Sequence, residues 1–129
     1  MDASLHACLR RGADLFNRRL FFEAHDAWED GWRVRKGQEP AELLQGLIQI
    51  AAGFVKLERR RPRGMLSLLD GGAAKLRAIP AGRYPVDLEA LLASVEGWIL
   101  AARHMLETGA TDYDPERLPS IVLQPPEQS

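Results

Sequence analysis

One cysteine, three histidines and a formal charge of −1 leave this 129-residue sequence poor in the features that mark specialised chains. The single thiol, Cys8, excludes an intramolecular disulfide and fits a reducing compartment. Seventeen basic residues against eighteen acidic ones argue against a dedicated nucleic-acid binder, which is basic overall as a rule. No stretch approaches the roughly 18 uninterrupted apolar residues that a membrane span needs. The longest apolar run, Leu43 to Val55, is broken by Gln45 and Gln49. No basic segment precedes an apolar run at the N-terminus, so no secretory signal is expected and the cytoplasm is the expected compartment.

What is present suits an ordinary folded domain: 46% hydrophobic and 27% charged residues, in a length that makes one domain the natural prior. A chain of this size buries roughly two thirds of its unfolded surface and needs no metal or disulfide staple to hold a core.

Helical periodicity runs through most of the chain. Leu5, Cys8, Leu9, Gly12, Leu15 and Phe16 mark one face of a first helix, with Ser4 placed to cap it. Phe21 to Arg35 reads as a second helix, stopped by Gly37, and Pro40 opens a third over residues 41–59. That third segment is apolar on most sides, which places it in the middle of a bundle. Pro62 starts a fourth helix with Met65, Leu66, Leu69, Ala73 and Leu76 facing inward, weakened by Gly71-Gly72. After the turn-rich segment 80–85, Asp87 caps a fifth helix that Gly109 stops. From Asp112 onward four of the eight prolines occur without helical period. The reading is all-α: one bundle of about five helices over residues 1–111 and an extended, Pro-rich tail over 112–129. Leu118, Ile121, Val122 and Leu123 are placed to dock part of that tail, and the final Pro-Pro-Glu-Gln-Ser is expected to fray.

The second helix carries the most informative pattern. With His25 at zero on a wheel of about 100° per residue, Phe21, Trp28 and Trp32 fall within about 60° on one side. Phe22 falls within about 60° on the other, and Glu29 about 40° away. His25 and Glu29 thus occupy the middle of an aromatic face. A buried carboxylate needs partners, and Gln45, Gln49 and Lys56 form a strip about 40° wide on the third helix. The economical expectation is that the two strips meet in a network of His25, Glu29, Gln45, Gln49 and Lys56. Such a network either fixes helix register or lines a small pocket between helices two and three for a small molecule or ion. Both accounts stand at this point. In the second, His25 is the base or ligand and Glu29 its orienter, which leaves open whether the protein is an enzyme.

Two motifs carry a resemblance. The first, preceded by Phe16-Asn17, is Phe21-Phe22-Glu23-Ala24-His25-Asp26-Ala27-Trp28-Glu29-Asp30-Gly31-Trp32-Arg33, and the second is Leu44-Gln45-Gly46-Leu47-Ile48-Gln49-Ile50-Ala51. Together they resemble the bacterial and archaeal domain-of-unknown-function family 309, over roughly residues 5–80. The resemblance implies a compact helical bundle with no established activity, and places the family's polar positions on Glu23, His25, Asp26, Glu29, Trp32, Gln45 and Gln49. Where family members commonly have a second His, this chain has Lys56, whose ammonium offers no lone pair to a metal. No firmly held metal is therefore expected; Lys56 is expected to pair with Glu29 or Asp26.

Other chemistry finds little support. His25 and Glu29 at i and i+4 can reach one ion, but a zinc site needs at least three protein ligands, and His6 and His104 lie on the first and last helices. Two Glu-x-x-His motifs, as a di-iron bundle requires, do not occur. Cys8 and Ser67 lack nucleophile contexts, and no Gly-rich phosphate loop is present, so no cofactor is expected. Arg59-Arg60-Arg61-Pro62-Arg63 is the one concentrated basic cluster: a solvated turn, or a contact for a phosphate or an acidic partner. The alternative to a ligand-binding protein is a non-catalytic helical adaptor, in which the His-Glu-Gln cluster is structural and the arginine turn or a helix face meets a protein partner.

Overall fold

The five periodic segments all form helices: α1 (Ala3–Asn17), α2 (Phe21–Arg33), α3 (Pro40–Glu58), α4 (Pro62–Arg77) and α5 (Leu88–Thr108), followed by one 3-10 turn at Pro115–Arg117. The computed structural model describes residues 3–124, so the expectation of a frayed end at 125–129 lies outside the described residues. Among those described there is no strand, only an isolated antiparallel bridge between Val86 and Leu123. Among the described residues no helix is long and apolar enough to cross a membrane.

Local chemistry sets the helix ends. Proline stands in the first turn of both α3 and α4, where its missing N–H costs nothing. The Asp87 carboxylate accepts from the Ala90 N–H at 3.0 Å at the start of α5, and Gly109 ends that helix in the left-handed region at φ 77°. Helices α1 and α3 end in the same way but with arginine in the left-handed position, Arg19 at φ 68° and Arg60 at φ 56°. Arg19 N–H donates to Phe16 O and Leu20 N–H to Leu15 O; Arg60 N–H donates to Leu57 O and Arg61 N–H to Lys56 O. This is the paired hydrogen-bond pattern that usually selects glycine. Both guanidinium groups then reach the C-terminal segment, Arg19 donating to the carbonyls of Leu118 and Pro119 and Arg60 to Thr111 and Asp112.

Two boundaries differ from the sequence reading. Ser4 does not cap α1; it lies within the helix, and its hydroxyl accepts from Arg35 Nη2 at 2.9 Å. Helix α2 stops at Arg33 and the chain turns through residues 34–37. Arg35 is drawn inside by that turn, donating to Gly31 O and Ser4 Oγ and so tying α2 to α1.

Helix α3 packs against both α2 and α4, as its nearly all-round apolarity requires, with α1 beyond α2 and α5 beyond α4. An aromatic chain runs through the centre: Phe16 edge-on to Phe21 at 4.9 Å and to Phe54 at 5.9 Å, and Phe54 edge-on to Trp98 at 5.9 Å. Leu118 and Ile121 of the tail are buried against this core. The Asn17 side chain holds them there, donating to Ile121 O at 2.9 Å and accepting from Ile121 N–H at 2.7 Å. Between α3 and α4 the backbones approach closely, because Gly46 and Gly53 on one helix face Leu76 and Leu69 on the other, and Gly72 faces Gly46 O. The Gly71-Gly72 pair that weakens α4 in isolation is what lets this contact form.

Candidate functional site

The inward residues of α2 are Phe21, Ala24, Ala27, Trp28 and Gly31. On the wheel they centre about 100° from His25. His25 and Glu29 therefore sit at the edge of the buried face, with side chains 26% and 29% exposed, and not at its middle. The physical reason is close packing against α1. Cys8 and Trp28 fill the spaces that Gly31 and Gly12 leave on the facing helix, so small residues hold the centre of the contact and the aromatics flank it.

At that edge three side chains of α2 converge. His25 Nε2 lies 3.5 Å from Glu29 Oε2, and Nδ1 lies 3.4 Å from Asp26 Oδ1, so both ring nitrogens face carboxylates. The other Glu29 oxygen accepts from Arg33 Nη2 at 2.6 Å, and Arg33 also reaches Asp30 at 3.3 Å. Phe22, 53% exposed, stacks on the His25 ring at 6.1 Å between centroids. One ligand atom from each of His25, Asp26 and Glu29 can be chosen so that all lie within 4.8 Å of one another, a spacing that could hold a cation and that exposed acidic groups also show without one.

The expected partners lie elsewhere. Gln49 faces α4: its Oε1 is 3.2 Å from where a Gly71 side chain would begin and is buried without a hydrogen-bond partner. The Lys56 stem lies along Gly64 of α4, and Lys56 forms no salt bridge among the described residues. No hydrogen bond joins Gln45 or Gln49 to His25 or Glu29. The two polar strips do not meet, because α3 turns its glycine side, which carries Gln49 and Lys56, to α4 and a different side to α2. Glu23 is exposed and adds repulsion at Glu58. Trp32 is partly buried, with the Lys36 ammonium 4.7 Å from its ring centroid.

Arg33, at the i+4 position of the same helix, takes the place at Glu29 expected of Lys56. Among the described residues His6 and Arg35 are the buried polar ones, and neither has a signal in the apolar stripe. Burial pushes the Cys8 thiol up from its usual range, against a smaller opposing effect of Arg35 and Arg11. The arginine run splits by position: Arg59 sits beside Glu58, Arg60 reaches Asp112, and Arg61 and Arg63 line a hollow with Lys56.

No curated protein matches the chain. Over residues 9–68, a shorter span than the motifs suggest but one that holds both of them, the chain matches the family described as domain of unknown function DUF309.

Proposed function

We propose that the chain is an ion-binding helical protein, and that its site is the His25–Asp26–Glu29 cluster on α2, taking a divalent transition-metal ion in rapid exchange. The observation that carries this is the 3.5 Å separation of His25 Nε2 and Glu29 Oε2. Two ligands on one tetrahedral ion at about 2.1 Å stand about 3.4 Å apart. Asp26, with its side chain 62% exposed, would leave its 3.4 Å contact with His25 Nδ1 to close as a third ligand, and water completes the shell. An imidazole in the set favours a transition metal over calcium or magnesium. Arg33 occupies only one Glu29 oxygen and orients the carboxylate for the ion with the other. Lys56 of α3 does not neutralise Glu29, because its stem lies along Gly64 of α4, so nothing from α3 competes with an ion for the carboxylate. A site with three ligands from one helix, open to solvent on one side, holds its ion weakly and exchanges it.

The test is zinc titration of the full chain followed by NMR. The His25 ring signals are expected to shift, and His25→Ala to abolish the strongest binding. Unchanged binding in that variant, or silent His25 signals in excess zinc, overturns the proposal.

A helical adaptor is the second reading, and the exposed Phe22 ring beside the polar cluster favours it. It requires a protein partner lost on Phe22→Ser and indifferent to zinc.

A further inference from the structure

Lys56, Arg61 and Arg63 line one hollow of about 490 Å³ at the α3–α4 turn, together with Pro62, Gly64, Ser67 and Leu106. No acidic residue is among them. None of the three cations forms a salt bridge among the described residues. Arg60, next to Arg61 in the same turn, is by contrast paired with Asp112.

The backbone builds this grouping. Arg60 takes the left-handed conformation, which turns the chain so that Arg61 N–H donates to Lys56 O at 2.9 Å. Arg61 and Lys56, five positions apart in sequence, are thereby locked side by side. Gly64 has no side chain, and the aliphatic stem of Lys56 lies over it, with its Cδ 3.2 Å from where a Cβ would stand. A Cβ at 64 would require the lysine stem to shift by a few tenths of an ångström. Ser67, one turn on along α4, adds a hydroxyl. Leu106 of α5, 39% exposed, and Pro62 add apolar surface to the lining.

We infer that this hollow is a binding site for a phosphate monoester of a small organic molecule. Three unpaired cations and a hydroxyl match the charge and acceptor oxygens of a phosphate dianion. The volume lies within the roughly 300–1,000 Å³ of small-molecule sites and exceeds what a phosphate group alone fills. Leu106 and Pro62 offer the remaining space to the carbon part. A nucleic acid would need the positive charge to continue as a stripe along its backbone. Here Arg60 is paired with Asp112 and Arg59 has the Glu58 carboxylate beside it, so the basic run of the turn is interrupted by acidic neighbours.

The experiment is an NMR titration of the full chain with phenyl phosphate, with inorganic phosphate, with phenol and with a short single-stranded oligonucleotide. Phenyl phosphate is expected to shift the amide signals of Gly64 and Ser67 at lower concentration than inorganic phosphate, and phenol to leave them unmoved. Lys56→Gln and Arg61→Gln are each expected to weaken phenyl phosphate binding on the order of tenfold, and Arg59→Gln to weaken it less. Thermal melts check that the variants are folded. Equal affinity for the two anions overturns the assignment to a monoester. Silent Gly64 and Ser67 signals overturn the site. So does a loss on Arg59→Gln as large as that on Arg61→Gln, or tighter binding of the oligonucleotide, since either marks diffuse surface charge.

Discussion

The indole of Trp28 occupies the space that Gly12 leaves open on α1, so closely that any side chain at position 12 would overlap the ring. The Gly12–Trp28 contact sets the distance between α1 and α2, and with it the rotation of α2 that brings His25 and Glu29 to the rim. Gly12→Ala is expected to destabilise the fold by roughly 1–3 kcal/mol through overpacking. Gly97 is the contrasting case: it lies on the exposed side of α5 with nothing within 4 Å of an added Cβ. Gly97→Ala is expected to stabilise by about 0.5–1 kcal/mol. Chemical denaturation of both variants checks the opposite signs.

The left-handed arginines separate in the same way. A non-glycine residue in that region costs roughly 1–2 kcal/mol. Arg60 recovers little of this through exposed contacts of 3.3–3.4 Å to Thr111 and Asp112. Arg60→Gly is thus expected to raise the melting temperature. Arg19→Gly gives up two hydrogen bonds to tail carbonyls and is expected to lower it. Melting temperatures that move in the same direction would show that the tail contacts of the two arginines are equivalent.

At Glu29 the carboxylate is partly exposed and paired within its own helix. Such an i,i+4 pair contributes about 0.3–0.5 kcal/mol. Glu29→Gln and Glu29→Ala are therefore expected to differ in stability by no more than about this amount. A buried network would instead separate them by roughly 1–3 kcal/mol for each orphaned group. Because Lys56 faces Gly64, Lys56→His is expected to add nothing to zinc affinity, which calorimetric titration checks.

Glu58 has a raised carboxyl pKa, from partial burial first and from repulsion by Glu23 second, with Arg59 opposing. The folded state then holds its proton more tightly than the unfolded chain does. The stability this group takes away is absent below its ordinary value of 4.5 and develops as pH rises through the folded value. Glu58→Gln is expected to stabilise the protein at neutral pH and to leave it unchanged in acid. A stability curve for the variant parallel to that of the parent across this range would refute the assignment.

The raised Cys8 thiol is expected to react slowly with iodoacetamide in the native protein and to speed up on unfolding, since the thiolate is the reactive form. Equal rates in buffer and in urea would contradict this.

Helix number, the central place of α3 and the caps at Pro40, Pro62, Asp87 and Gly109 were legible because each depends on local spacing or on one residue's backbone chemistry. The rotation of α2 was not. Its aromatic residues drew the inferred buried face towards themselves, whereas Ala24, Ala27 and Gly31 hold the centre because α1 comes so close. The direction of the Gln49–Lys56 strip depends on the glycines of α4: Gly71, twenty-two residues beyond Gln49, and Gly64, eight beyond Lys56. No periodicity within α3 records which neighbour has room. Of the candidate site, the i,i+4 pair of His25 and Glu29 was readable, and its helix-to-helix partners were not.

The tail contacts also impose an order of events. Helix pairs that adjoin in sequence can close as the chain lengthens, with short loops and little entropy to overcome. The clasp between Asn17 and Ile121 joins residues 104 positions apart, so α1 waits with its end uncovered until almost the whole described chain has been made. A segment that docks last, over one edge and with few buried side chains, is also the first to lift away. The molecule therefore has a seam at which partial opening precedes global unfolding, and that seam runs beside the ends of α1 and α3, not through the α3–α4 contact that the glycines hold shut.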